Sequence, residues 1–85
     1  MASVHFTKKA YKSLSQISAL DQKTVLKKIT QLVFPLHLNN VKRLSGVYNH
    51  YRLRVGNIRV IFEVMGQGEI WILMVAYRKD VYKKL

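Results

Sequence analysis

The sequence predicts an α+β fold, with a short N-terminal strand and a two-helix hairpin packed on one face of a small antiparallel sheet. Three observations predict it. Residues 51–64 alternate apolar and polar side chains at the strand period around a Gly56-Asn57 turn. Two earlier stretches repeat apolar residues at helical spacing, and a further apolar run over residues 70–77 supplies another strand.

The chain has 85 residues, which predicts one domain over 1–85 with a single core. Its hydrophobic fraction of 49% is ample for such a core. There is no cysteine, so neither disulfides nor thiolate zinc sites are open to it. The longest apolar run, residues 70–76, is far shorter than the roughly 20 residues that span a bilayer. No apolar leader opens the chain, and a cytoplasmic protein without a membrane partner is expected. Lys and Arg number 15 against 4 Asp and Glu, a net charge of +11 that favours a polyanionic partner.

In chain order, residues 3–6 form a short strand with Val4 and Phe6 on one face. Thr7 caps a helix that runs to about Ser18, with an apolar stripe of Ala10, Tyr11, Leu14 and Ile17. Lys8, Lys9 and Lys12 lie off that stripe. Asp21 caps a second helix over residues 22–34, whose stripe is Val25, Leu26, Ile29, Leu32 and Val33. Pro35 stops it, because the residue before a proline is driven out of the α region. A connector over residues 36–46 carries His37, Asn39, Asn40, Lys42 and Arg43. Strands follow over residues 47–55 and 58–64, then a Gly66-Gln67-Gly68 turn. Residues 70–77 are apolar on both faces and predict a central strand. The tail from Arg78 suits a helical turn or two, leaving the basic sheet face open or partly covered.

The hairpin sets two faces. Tyr51, Leu53 and Val55 share one with Ile58, Val60, Phe62 and Val64, and that face is core. Leu53, Val60, Phe62, Leu14, Ile17, Leu26 and Ile29 are expected at its centre. His50, Arg52 and Arg54 share the other with Arg59, Ile61 and Glu63. Gly56 can supply the positive φ of a two-residue II′-type turn. Such a loop pairs Val55 with Ile58 and sets Arg54 opposite Arg59, a like-charge pair that costs stability. Either the guanidinium groups splay into water or Arg52, Arg54 and Arg59 converge on one or two phosphates. Lys42 and Arg43 in the connector extend the basic balance and are substrate-binding candidates beside Arg52 and Arg54. His50 either pairs with Glu63 or serves as a base beside the arginines. Trp71 and Tyr48 either stack on bases or pack in the core.

No Gly-rich phosphate loop, nucleophile elbow or metal-spaced histidine set is present, so no cofactor and no metal are expected. Any chemistry must come from cations, a tyrosine and a histidine. The segment YRLRVGNIRVIFEV, followed by ILMVAYRKDVYKKL, resembles the signature of the RelE/ParE toxin superfamily of type II toxin–antitoxin systems. The order of elements agrees over nearly the whole chain. The resemblance implies a RelE-like fold and an acidic cognate antitoxin as partner. It implies one of two activities: RelE-like cleavage of mRNA at the ribosome, or ParE-like inhibition of DNA gyrase without nuclease chemistry.

By resemblance, the RelE-like catalytic positions fall on Arg52 and Arg54 before the hairpin turn, Arg59 after it, Arg78 after the last strand, and Tyr82 near the C-terminus. All five carry suitable residue types, which favours the RelE-like branch. Two departures stand out. The first pair is often Lys-x-Lys in the ribonuclease branch and is Arg-x-Arg here, and Tyr77 stands where many members have His. Arginine stabilises charge but does not take protons. The base is therefore left open between Tyr82 and His50, with Tyr82 otherwise stacking on a nucleobase or packing on the sheet.

Overall fold

The computed structural model describes residues 3–31, 41–44, 50–66 and 68–84, apart from the side chains of Tyr82 and Lys84. The elements run β1 (Val4–Phe6), α1 (Lys8–Leu14), α2 (Ala19–Ile29), β2 (Val41–Arg43), β3 (His50–Val55), β4 (Ile58–Met65), β5 (Glu69–Tyr77) and α3 (Arg78–Lys84). The strands form one sheet in the order β1-β5-β4-β3-β2. Only the β1–β5 pair is parallel, and the other three are antiparallel.

The hairpin has the expected register, with Val55 opposite Ile58 and Arg54 opposite Arg59. Gly56 adopts φ +57°, the left-handed conformation that only glycine takes without strain. Leu53, Val60 and Phe62 are fully buried and join Ala10, Leu14, Val25 and Ile29 from the helices, and Ile17 from the link between them, in one core. Strand β5 is buried on both faces because α1 covers one side, with α2 packed over β3, while α3 folds back over the other. On that second side Val81 closes a smaller cluster with Ile61, Met74 and Ala76.

Several boundaries differ from the sequence expectation. Thr7 caps α1, accepting from the Ala10 amide at 3.0 Å, but α1 ends at Leu14 rather than Ser18. Ser18, not Asp21, caps α2, with its Oγ accepting from the Asp21 amide at 3.2 Å. Asp21 then lies in the first turn, where a carboxylate meets the positive end of the helix dipole. Helix α2 stops at Ile29, where the Thr30 hydroxyl donates to the Lys27 carbonyl. The continuation through Leu32, Val33 and Phe34 to Pro35 lies outside the described residues, as do His37, Asn39 and Asn40, Val47 to Asn49, and Gln67 of the second turn. Strand β2 falls within the expected connector. Three residues are too few for alternation to show.

Two residues of the expected stripes are solvent-facing. Tyr11 is 72% exposed and Leu26 is 40% exposed. Helix α2 presents Val25 and Ile29 to the sheet, a narrow i,i+4 edge that leaves Leu26 turned aside.

One hydroxyl ties the helical layer to the sheet. Tyr77 Oη donates to Asp21 Oδ2 at 2.9 Å and accepts from the Ser18 amide at 3.3 Å. Among the described residues, no helix is long and apolar enough to cross a membrane.

The two leucines give a paired test. Leu53→Ala should lose about 2–5 kcal/mol, the range for truncating a buried leucine. Leu26→Ala should change stability by no more than about 0.5 kcal/mol, as exposed positions do. Urea unfolding of both variants checks this, and equal losses would contradict the observed helix rotation.

Candidate functional site

Residues in register across a ladder share a sheet face. On the face away from α1 and α2, three rows cross the strands. The row nearest the hairpin turn is Arg54, Arg59 and Ala76. The next is Lys42, Arg52, Ile61 and Met74. The third is His50, Glu63, Trp71 and His5. Arg52 and Arg54 thus share this face, as the sequence predicts, and Lys42, expected in a connector, joins them from β2. Arg43 does not: it stands opposite Tyr51, whose ring stacks on Phe62 in the main core.

Arg59 behaves differently from either sequence expectation. It neither splays into water nor reaches outward, being only 8% exposed. Its Nη1 donates to the Gly56 carbonyl at 2.8 Å and to the Ile58 carbonyl at 3.1 Å. The guanidinium therefore folds over its own turn, and charge-assisted bonds to carbonyl oxygens offset its position opposite Arg54. Nothing in the alternation pattern signals this, because the pattern specifies a face and not the course of a long side chain.

Arg78 starts α3 at the same end of the sheet. Its amide donates to the Asn57 carbonyl at 2.6 Å, which binds the end of β5 to the hairpin turn. Asn57, Tyr77, Arg78 and Lys79 line a cleft of about 590 Å³ there. Its size falls within the range of small-ligand sites, about 300–1,000 Å³. Arg78 is exposed at this cleft, while the Tyr77 hydroxyl is held by Asp21 and Ser18. Asn57 and Lys79 were not singled out from sequence. Asn57 carried a signal as the second turn residue, but its closeness to Arg78 depends on the β4–β5 register. Tyr82 lies in α3, four residues after Arg78, and its side chain is outside the described residues.

His50 Nε2 lies 3.8 Å from Glu63 Oε1, with each side chain about a quarter exposed. The pair sits one row from Arg52, about 7 Å along the strand. Trp71 is partly exposed on this face and carries the His5 ring stacked at 4.6 Å.

This set of cations can hold a phosphodiester along Lys42, Arg52 and Arg54 and present a further guanidinium, Arg78, at the cleft. His50 with Glu63 can accept a proton at the other end of the cationic row. Two Arg59 bonds are already committed to the turn, so that residue stiffens the site as well as charging it.

Residues 4–82 match the model of the ParE toxin of type II toxin–antitoxin systems, parDE. Toxin RelE3 of Methanocaldococcus jannaschii is 42% identical over 43 residues, a stretch covering 51% of this chain and 48% of that protein. The chain thus spans about half the length of the curated relative it matches. The toxin in the RelB–RelE antitoxin–toxin complex of Methanococcus jannaschii superposes with a TM-score of 0.72 at 26% identity, over 95% of this chain and 98% of that one. The archaeal RelE–RelB complex of Pyrococcus horikoshii gives 0.75 at 26% identity, over 91% and 94%. The family match over residues 4–82 and the superposition on these relatives agree, and the chain belongs to the RelE/ParE superfamily of type II toxin–antitoxin toxins.

Proposed function

We propose that this toxin is an endoribonuclease that cleaves mRNA at the ribosome, and that an acidic antitoxin of the RelB type holds it in check. The observation that carries the reading is the placement of Arg78 at the hairpin-turn cleft, at the end of the sheet face that bears Arg52, Arg54 and Lys42. The neighbouring RelE structures were determined in complex with RelB, which supports the antitoxin as partner.

In this reading a ribose 2′-oxygen attacks the adjacent phosphorus. Its proton passes to a base, the bond to the 5′-oxygen breaks, that oxygen takes a proton from water as it leaves, and a 2′,3′-cyclic phosphate and a 5′-hydroxyl result. Negative charge grows on the non-bridging oxygens as the new bond forms. Guanidinium groups already in place stabilise that charge more than the ground state, which is where rate is gained. Arg78 meets the reacting phosphate or the leaving oxygen. Arg52 and Arg54 hold the flanking backbone, with Lys42 beside them. Arg59 adds its charge from the turn. Tyr82 is the preferred proton acceptor, and the His50–Glu63 pair is the other candidate.

A second reading has one observation in its favour. The matching family model is that of ParE toxins, and the ParE-like branch inhibits DNA gyrase without cutting RNA. The basic face would then meet an acidic protein surface.

Three outcomes test the proposal. Arg78→Ala should slow cleavage of translated mRNA about a hundredfold or more, the loss of one transition-state cation of about 3 kcal/mol. Its fold should stay intact, since the side chain is exposed. Arg59→Ala should lose activity and also about 1.5 kcal/mol of stability, the low end for bonds to a charged group. Thermal unfolding beside the cleavage assay separates the two effects. RNA binding should weaken with salt at a slope of roughly −2 in log K against log salt, from about three single-strand phosphate contacts. Wild-type toxin, freed of antitoxin, that spares translated mRNA but blocks gyrase supercoiling would shift the assignment to the ParE-like reading. Within the ribonuclease reading, unchanged cleavage in Tyr82→Phe together with loss in His50→Ala would move the base to His50.

A further inference from the structure

Ser18 and Asp21 stand at the two positions of a capping box at the start of α2. In such a box the cap side chain takes the N3 amide, and the N3 side chain reaches back to the cap amide. The first half is present, since the Asp21 amide donates to Ser18 Oγ at 3.2 Å. The second half runs through the end of β5. Tyr77 Oη accepts from the Ser18 amide at 3.3 Å and donates to Asp21 Oδ2 at 2.9 Å. The hydroxyl therefore stands where the box would close on itself.

A helix cap does not need a tyrosine from another layer, because a serine and an acidic side chain satisfy the same amides alone. What the detour changes is the end of β5. Asp21 is the only acidic residue before Glu63 in the chain, and its carboxylate holds the residue next to Arg78. A charged acceptor makes this bond stronger than one between neutral groups. On the other side, the Arg78 amide donates to the Asn57 carbonyl at 2.6 Å. The neighbouring Gly56 carbonyl holds the Arg59 guanidinium at 2.8 Å. Two consecutive carbonyls of one tight turn thus hold two arginines, one by its backbone and one by its side chain. With the turn as its only anchor, the backbone at Arg78 could pivot. With Tyr77 fixed to α2 as well, it cannot. Tyr77 lines the same cleft as Arg78, but its proton is committed to Asp21. Its effect on a bound phosphate is therefore exerted through Arg78.

We propose that Tyr77 and Asp21 are positioning residues for cleavage, their bond across the two layers holding the Arg78 backbone so that the guanidinium meets the reacting phosphate. The inference rests on the ribonuclease reading and deepens it, extending the machinery from the basic sheet face to the N-terminus of α2. A misplacement of about 1 Å can cost about a hundredfold in rate. Partial loosening should thus appear in turnover and not in binding, which the other cations of the sheet face sustain.

The test follows cleavage of mRNA on purified ribosome complexes by antitoxin-free toxin. It reads the rate at saturating toxin and the toxin concentration that gives half that rate. Tyr77→Phe should cut the saturated rate about tenfold and leave the half-saturating concentration within about twofold. Asp21→Ala should do the same, and Asp21→Asn, which keeps an acceptor oxygen, should recover most of the loss. Placed in an Arg78→Ala chain, Tyr77→Phe should have no further effect, because the group it positions is gone. Lost stability alone would slow both backgrounds equally, and thermal unfolding of each variant sets a temperature at which all are folded. If Tyr77→Phe does not fold, the two Asp21 variants carry the same comparison. A saturated rate unchanged in Tyr77→Phe and Asp21→Ala overturns the inference. So does a loss confined to the half-saturating concentration, or one of equal size in the Arg78→Ala chain. If Arg78→Ala alone still slows cleavage in that case, the ribonuclease reading stands and only the positioning role falls. If wild-type toxin leaves mRNA whole and blocks supercoiling, both fall together.

Discussion

The register of the β3–β4 hairpin is the constraint on which the rest depends. Side chains alternate across a strand, so a slip of one residue would exchange the two faces completely. Leu53, Val60 and Phe62 would then face α3 and solvent, and the arginines would be driven under the helices. Three features hold the register against this. Gly56 takes the left-handed turn conformation. The apolar face is buried against α1 and α2. Arg59 bonds two carbonyls at the turn. The third also lowers the cost of placing two arginines opposite one another. A residue expected either to splay into water or to meet a phosphate thus helps to fix the hairpin itself.

The second sheet face is shared between packing and charge. Helix α3 lays Val81 over Ile61, Met74 and Ala76, which removes apolar surface from water on the β4 and β5 side. The β3 and β2 side keeps Arg52, Arg54 and Lys42. The division follows from the order of strands, since β5 lies between β1 and β4 and needs cover on both faces. The same arrangement delivers Arg78 to the hairpin turn, because α3 starts where β5 ends. Tyr77, the residue just before it, is anchored through Asp21 and Ser18 to the N-terminus of α2. The first residue of the cleft helix is thereby braced against the opposite layer. The Tyr77 hydroxyl is thus spent on two hydrogen bonds to the opposite layer.

Period-two patterning made the hairpin legible. Seven apolar residues on one face and a charged set on the other favour one arrangement around Gly56-Asn57, and the structure excludes the bulge at Gly56 that the pattern left open. The Thr7 cap and the terminal helix were legible for similarly local reasons. What escaped was set by competition between elements. Ser18 and Asp21 are both good caps, and only the start of α2 decides between them. Tyr11 and Leu26 sit on plausible stripes, but each helix meets the sheet along a narrow edge. At the site, the shared face of Arg52 and Arg54 could be read from parity alone. Arg43 could not, because it belongs to a strand too short to show a period. The fold of Arg59 onto its turn could not be read either, since the carbonyls that hold it belong to the backbone and leave no mark in the sequence.

Ile61 pairs with Met74 and Phe62 with Ile72, so Leu73 is a bulge in β5, and it shows how one irregularity can change what a surface offers. In a regular strand, residues 71, 73 and 75 would share a face, and Val75 would leave the main core. The extra residue restores Val75 to that core beside Ile72 while keeping Trp71 on the opposite side. Both faces of β5 are therefore correctly filled, but Leu73 is left half-covered between them. A partly exposed leucine thus stands on a face that carries Trp71 and Glu63 beside its arginines, lysine and histidines, so that one irregular residue sets how much apolar surface β5 leaves uncovered there.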